Sequence, residues 1–134
     1  MKYANYKSNL EILKQAPNQD LENEFVLSGI VDKFTMQFEL AWKLLKKTLE
    51  YEGRLEAATG SPRGIVKIAY ETYRFIDEDV WLEMLKDRNA AEHTYDAMMA
   101  KRLVDDINGK YIAVFEKVLS ELESLYPLDL LEAF

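Results

Sequence analysis

The chain has no cysteine, and His93 is its single histidine. A disulfide framework and a thiolate metal centre are thereby excluded, and too few ligands remain for a structural zinc site. No metal and no cofactor is expected. Glycine (5 residues) and proline (3) are scarce, which removes loop-rich and low-complexity architectures. No apolar run approaches the ~20 residues needed to cross a bilayer, so no membrane partner is expected. The first residues, Met1-Lys2-Tyr3-Ala4-Asn5-Tyr6, carry no apolar stretch of the secretory kind, and a cytoplasmic protein is the expectation. A basic excess is also missing: 17 Lys and Arg stand against 24 Asp and Glu, for a net charge of -7. A general nucleic-acid binder draws most of its affinity from neutralising phosphates. Any RNA binding here must therefore be confined to a local basic cleft.

What is present is a helical pattern. With 134 residues, 49% of them hydrophobic, residues 1–134 are expected to form one domain with a substantial core. Residues 1 to 16 form an amphipathic segment with Tyr6, Leu10 and Leu13 on one face, ended by Pro17-Asn18-Gln19-Asp20. Asp20 is the expected cap of the next helix. From about Leu21 to Glu52, Leu27, Ile30, Val31, Phe34, Phe38, Ala41, Trp42, Leu45 and Leu49 recur at spacings of three and four. Gly53 is the expected stop. Ser61 and Pro62 open a short helix carrying Ile65, Ile68, Ala69 and Thr72. Asp77 can cap a fourth, whose apolar face is Val80, Trp81, Met84 and Leu85. A last long helix runs from near Asp96 to about Leu125, lined by Val104, Ile107, Tyr111, Val114, Phe115, Val118, Leu122 and Leu125. Gly109 is a weak point inside it, where a kink is expected. Pro127 ends it and leaves the apolar tail Leu128 to Phe134. No strand-like alternation competes, so the fold class is all-α: an up-and-down four-helix-type bundle with an additional short helix. Phe25, Met36 and Leu40 fall opposite the main stripe of the long helix, where either short elements or a partner must cover them.

The chemistry concentrates in Arg88-Asn89-Ala90-Ala91-Glu92-His93-Thr94-Tyr95. RNA can be cut without metal when its 2′-hydroxyl attacks the neighbouring phosphate. That reaction needs proton transfer and stabilisation of charge on the phosphoryl oxygens. Histidine suits the first, with an ordinary pKa of about 6.5. Arginine suits the second, because its planar fork donates two parallel hydrogen bonds. Asn89 can orient either partner, and the Tyr95 phenol can accept a transferred group. The same residues have plainer uses. A histidine beside a helix end commonly bonds a backbone carbonyl, and Arg88 can pair with Asp87 or Glu92 on the surface. The spacing puts Arg88 at a helix end and His93 in the connection or the next turn.

Arg-Asn-x-x-x-His-x-Tyr resembles the signature of HEPN domains, an arginine followed four to six residues later by a histidine. The likeness is to the small prokaryotic members encoded beside a minimal nucleotidyltransferase, often labelled nucleotidyltransferase substrate-binding proteins. Phe38-Glu39-Leu40-Ala41-Trp42-Lys43, Ser61-Pro62-Arg63 and Val80-Trp81-Leu82-Glu83-Met84-Leu85-Lys86-Asp87-Arg88-Asn89 agree with it, and it extends over roughly residues 5 to 125. The resemblance implies a helical bundle that homodimerises, with two motifs facing a shared cleft able to take RNA or a nucleotide. It implies a minimal nucleotidyltransferase as partner. In the ribonuclease members Arg88 and His93 would be the catalytic pair, with Asn89 in support. In toxin-antitoxin members the transferase adds AMP to the tyrosine matching Tyr95. The other function it implies is a non-catalytic subunit that binds the transferase and presents its substrate.

Overall fold

The computed structural model describes residues 1–93 and 96–134, with His93 described by its backbone alone, and no strand occurs among the described residues. The helices are α1 (Lys2–Leu13), α2 (Glu24–Tyr51), α3 (Pro62–Thr72), α4 (Glu78–His93), α5 (Ala97–Asp106), α6 (Ile112–Leu125) and α7 (Leu128–Ala133). Short 3-10 turns lie at Ala16–Asn18 and Leu55–Thr59, and a π-helical turn, Ile107–Tyr111, joins α5 to α6. The all-α expectation holds. α2 is the central helix: α1, α3, α4 and α5 pack on it, and α6 packs along α1.

Local chemistry sets most boundaries. α2 begins at Glu24 because the Asn23 side chain accepts the N–H groups of Phe25 (2.9 Å) and Val26 (3.3 Å). Asp20, the expected cap, instead accepts the Glu22 N–H at 3.1 Å, inside a turn that the Asn23 N–H closes onto the Asp20 carbonyl at 3.2 Å. That extra turn delays the helix. Its end follows expectation. Gly53 takes a φ of 86°, and the Gly53 and Arg54 N–H groups bond back to Glu50 and Leu49, each at 3.0 Å. Ser61, Asp77 and Asp96 cap α3, α4 and α5 through side-chain oxygens. The expected last helix is helical throughout from Ala97 to Leu125, with a π turn between α5 and α6 that contains Gly109, the foreseen weak point. Leu125 is exposed rather than on the buried stripe, and Tyr126 is buried in its place. The apolar tail is α7, with Leu131 buried.

Two interior features position α4. An aromatic cluster ties it to α2 and α6: Trp81 lies 5.9 Å from Phe38 and 6.1 Å from Phe115 between ring centroids, while Phe34 stacks on Tyr111 at 5.4 Å. Trp81, Met84 and Leu85 thus face inward, and Arg88, seven residues after Trp81, continues the same stripe to the edge of the core. A buried polar set fixes α1 on α2. Asn9 donates to the Gln37 side chain (2.8 Å) and the Lys33 carbonyl (3.0 Å), and Gln37 donates to the Tyr6 carbonyl (3.1 Å). Satisfying each of these groups avoids the cost of burying it unpaired.

Candidate functional site

Arg88, Asn89 and His93 all belong to α4, which continues to His93. The expected break between Arg88 and His93 is absent, because no glycine or proline interrupts residues 78–93. Five helical residues separate the two backbones by about 140° around the axis. The His93 side chain, Thr94 and Tyr95 lie outside the described residues.

Arg88 is mostly buried and well anchored. Its Nη2 donates to Glu39 Oε2 of α2 at 2.7 Å, and its Nη1 to Asn89 Oδ1 at 3.0 Å. Its Nε lies 3.5 Å from Glu92 Oε1, within ion-pair range but not aligned as a hydrogen bond, so this buried N–H has no hydrogen-bond acceptor among the described residues. Glu39 in turn accepts the Trp42 indole N–H at 3.0 Å and faces Lys43 Nζ at 3.3 Å. Burial works against the charge on Glu39, but the Trp42 indole, Arg88 and Lys43 outweigh it and hold the carboxyl below its ordinary range. Glu39 and Trp42, singled out in the sequence only as part of the segment Phe38–Lys43, are thus the residues whose role beside Arg88 sequence reasoning missed. Their spacing to Lys43 was visible, but the pairing with Arg88 joins residues 49 positions apart.

The adjoining face of α4 is acidic. The Tyr111 hydroxyl, placed by the π turn, donates to Asp87 at 2.5 Å and to Glu83 at 3.0 Å, and Lys110 donates to Glu83 at 2.6 Å. Burial, with Glu83 and Asp106 nearby, raises the Asp87 carboxyl against the pull of Tyr111. The Lys110 contact lowers Glu83. Glu83, Asp87 and Asp106 bring oxygens within 4.8 Å of one another. Tyr111 and Lys110 already engage two of these carboxylates. Between α4 and α5 a cleft of about 240 Å³ has Ala90, Ala91 and Leu103 on its walls and Asp87, Asp96, Asp106 and Arg102 at its polar edge.

The bundle thus presents an arginine-to-histidine segment at the end of one helix, with a carboxylate of the central helix against its arginine. A family model described as "Nucleotidyltransferase substrate binding protein like" matches residues 1–124, and the chain belongs to that family. No curated protein matches it. No helix among the described residues is long and apolar enough to cross a membrane.

Proposed function

We propose that this chain is the helical partner of a minimal nucleotidyltransferase and that the Arg88–His93 end of α4 is a metal-independent endoribonuclease site of the HEPN type, silenced by AMP transfer to Tyr95. The anchoring of Arg88 carries this reading. Glu39 at 2.7 Å and Asn89 at 3.0 Å hold two of its nitrogens, so the group that would meet phosphoryl charge is preorganised. In the reaction the RNA 2′-oxygen bonds to the adjacent phosphorus and the bond from phosphorus to the 5′-oxygen breaks. The products are a 2′,3′-cyclic phosphate and a 5′-hydroxyl. His93 transfers the proton lost by the 2′-hydroxyl or gained by the 5′-oxygen, and Arg88 balances the phosphoryl charge. The angle between the two backbones favours a cleft completed by a second copy of the chain.

Silencing follows from charge. The Tyr95 phenolic oxygen bonds to the α-phosphorus of ATP, its proton is lost and pyrophosphate leaves. The added phosphodiester then stands two residues from His93, where it repels RNA phosphate. Expression of the wild type is expected to arrest growth, and the protein is expected to cut RNA in the presence of a chelator. Arg88→Ala and His93→Ala should each lower cleavage by about a hundredfold or more. Intact RNA and equal harmlessness of all three proteins would end this reading. Incubation with the transferase and ATP should add one adenylate to the chain and none to Tyr95→Phe, by intact mass; modification of that variant would refute the assignment.

A second reading, a non-catalytic substrate-binding subunit of the transferase, is favoured by the carboxylates around Arg88. Glu39 and Glu92 occupy its guanidinium, and Glu83, Asp87 and Asp106 make the next face acidic. This subunit should form a stable complex with the transferase on size exclusion while leaving RNA intact. Absence of the complex would remove its support.

A further inference from the structure

The positive charge of this acidic chain is unevenly spread. Lys43, Lys46 and Lys47 stand on one face near the end of α2, Lys2 meets them from the start of α1, and with Trp42 and Glu50 they line a concavity of about 320 Å³. Lys43 faces Glu39 at 3.3 Å, whereas Lys2, Lys46 and Lys47 have no carboxylate within 4.0 Å among the described residues. Lys43 and Lys47 are four residues apart on one helix, a like-charge spacing that disfavours the helix unless an anion relieves it. The four lysines are half-buried, so their stems pack along the protein while their charged heads stay toward water. Trp42 adds a flat wall, with Lys43 Nζ 5.8 Å from its ring centroid.

We infer that Lys2, Lys43, Lys46 and Lys47 form a binding site for linked phosphate groups, with Trp42 as the wall against which a ring attached to them can lie. Convergent ammonium groups suit a polyanion better than a single carboxylate, because each further phosphate oxygen engages another donor. Base-on-indole stacking would add to that. The site touches the motif through one residue, since Glu39 accepts hydrogen bonds from both Trp42 (3.0 Å) and Arg88 (2.7 Å). It does not rest on the ribonuclease reading, because phosphate binding is measured without cleavage.

The test is calorimetric titration of the full chain with inorganic tripolyphosphate, with ATP, and, on the His93→Ala protein, with a short single-stranded RNA. Tripolyphosphate is expected to bind at one site. Lys46→Glu/Lys47→Glu and Lys46→Gln/Lys47→Gln should each weaken it by about tenfold or more, the loss of a charge-assisted contact. Arg63→Glu/Lys67→Glu makes the same change in net charge on α3 and should leave binding within about twofold. Circular dichroism verifies the helical fold of each variant. Tighter binding of ATP than of tripolyphosphate, lost in Trp42→Ala, supports the ring wall; equal binding supports a site for phosphates alone. RNA binding that needs the same lysines identifies a strand as the source of the phosphates. No binding of tripolyphosphate to the wild type, or equal weakening by the α2 and α3 variants, overturns the site.

Discussion

At the scale of single residues, the decisive contact is the one between Glu39 and Arg88. Their side chains are 31% and 18% exposed, so the pair is neither a solvated surface bridge nor a sealed one. Its weight shows in the pH dependence of stability. The folded Glu39 carboxyl titrates below its unfolded value, so its stabilisation is complete above the ordinary carboxylate range and is lost as pH falls through the lowered folded value. Glu39→Gln should cost about 1 kcal/mol at pH 7, and the gap from wild type should narrow in strong acid, where the native glutamate is protonated too. Urea melts at neutral pH and near pH 3 measure both. A gap that does not narrow means that the carboxylate charge is not what Arg88 needs. Arg88, Asn89 and Tyr95 stood out in the sequence because they flank the chain's single histidine, His93. Glu39 did not, because nothing local to residue 39 announces a partner on a different helix.

At the scale of elements, periodicity and end chemistry carried most of the fold. The stripe from Leu27 to Leu49 is buried, with Trp42 half-buried at its edge. The Ser61 and Asp77 caps stand where their residue types placed them, and Asp96, expected only near the start of its helix, caps α5. What escaped was competition between neighbouring signals. Asp20 and Asn23 are both good caps, and only the turn between them decides for Asn23. The α5–α6 junction was legible as a weak point at Gly109 but not as a π turn, whose last residue, Tyr111, meets Asp87 and Glu83 of a different helix, α4. The two glycines near these ends should behave oppositely. Gly53 has a φ of 86°, so Gly53→Ala should destabilise by about 1–2 kcal/mol. Gly109 has ordinary φ and nothing within 4 Å of a built Cβ, so Gly109→Ala should be neutral or stabilising by up to about 1 kcal/mol. Thermal melts compare them directly. An equal loss at both sites would mean that the π turn itself needs glycine.

At the scale of the whole molecule, burial within one chain leaves part of α2 uncovered. Phe25 is 91% and Met36 51% exposed, whereas Leu40, expected beside them, packs against the core. Eleven helical residues place Phe25 and Met36 within about 20° of each other around the axis, roughly 16 Å apart along it. Gly29 and Asp32 lie between them, both exposed. This stripe is the candidate face for the homodimer that the proposed two-copy cleft requires. Apolar side chains aligned on a helix and left to solvent are relieved by association, and a two-fold pairing of one helix with its copy buries each stripe against the other. A glutamate in place of either apolar side chain would remove buried apolar area and set a second like charge beside Asp32 and its symmetry copy, which opposes the pairing. The wild type is therefore expected to sediment as a dimer, and Met36→Glu and Phe25→Glu as monomers at the same concentration, with helical content unchanged because neither residue belongs to the core. RNA cleavage should fall with dimerisation in these variants, although both lie outside the motif. A dimer that persists in both would place the interface elsewhere, and a monomer with full activity would show that the cleft needs one chain alone.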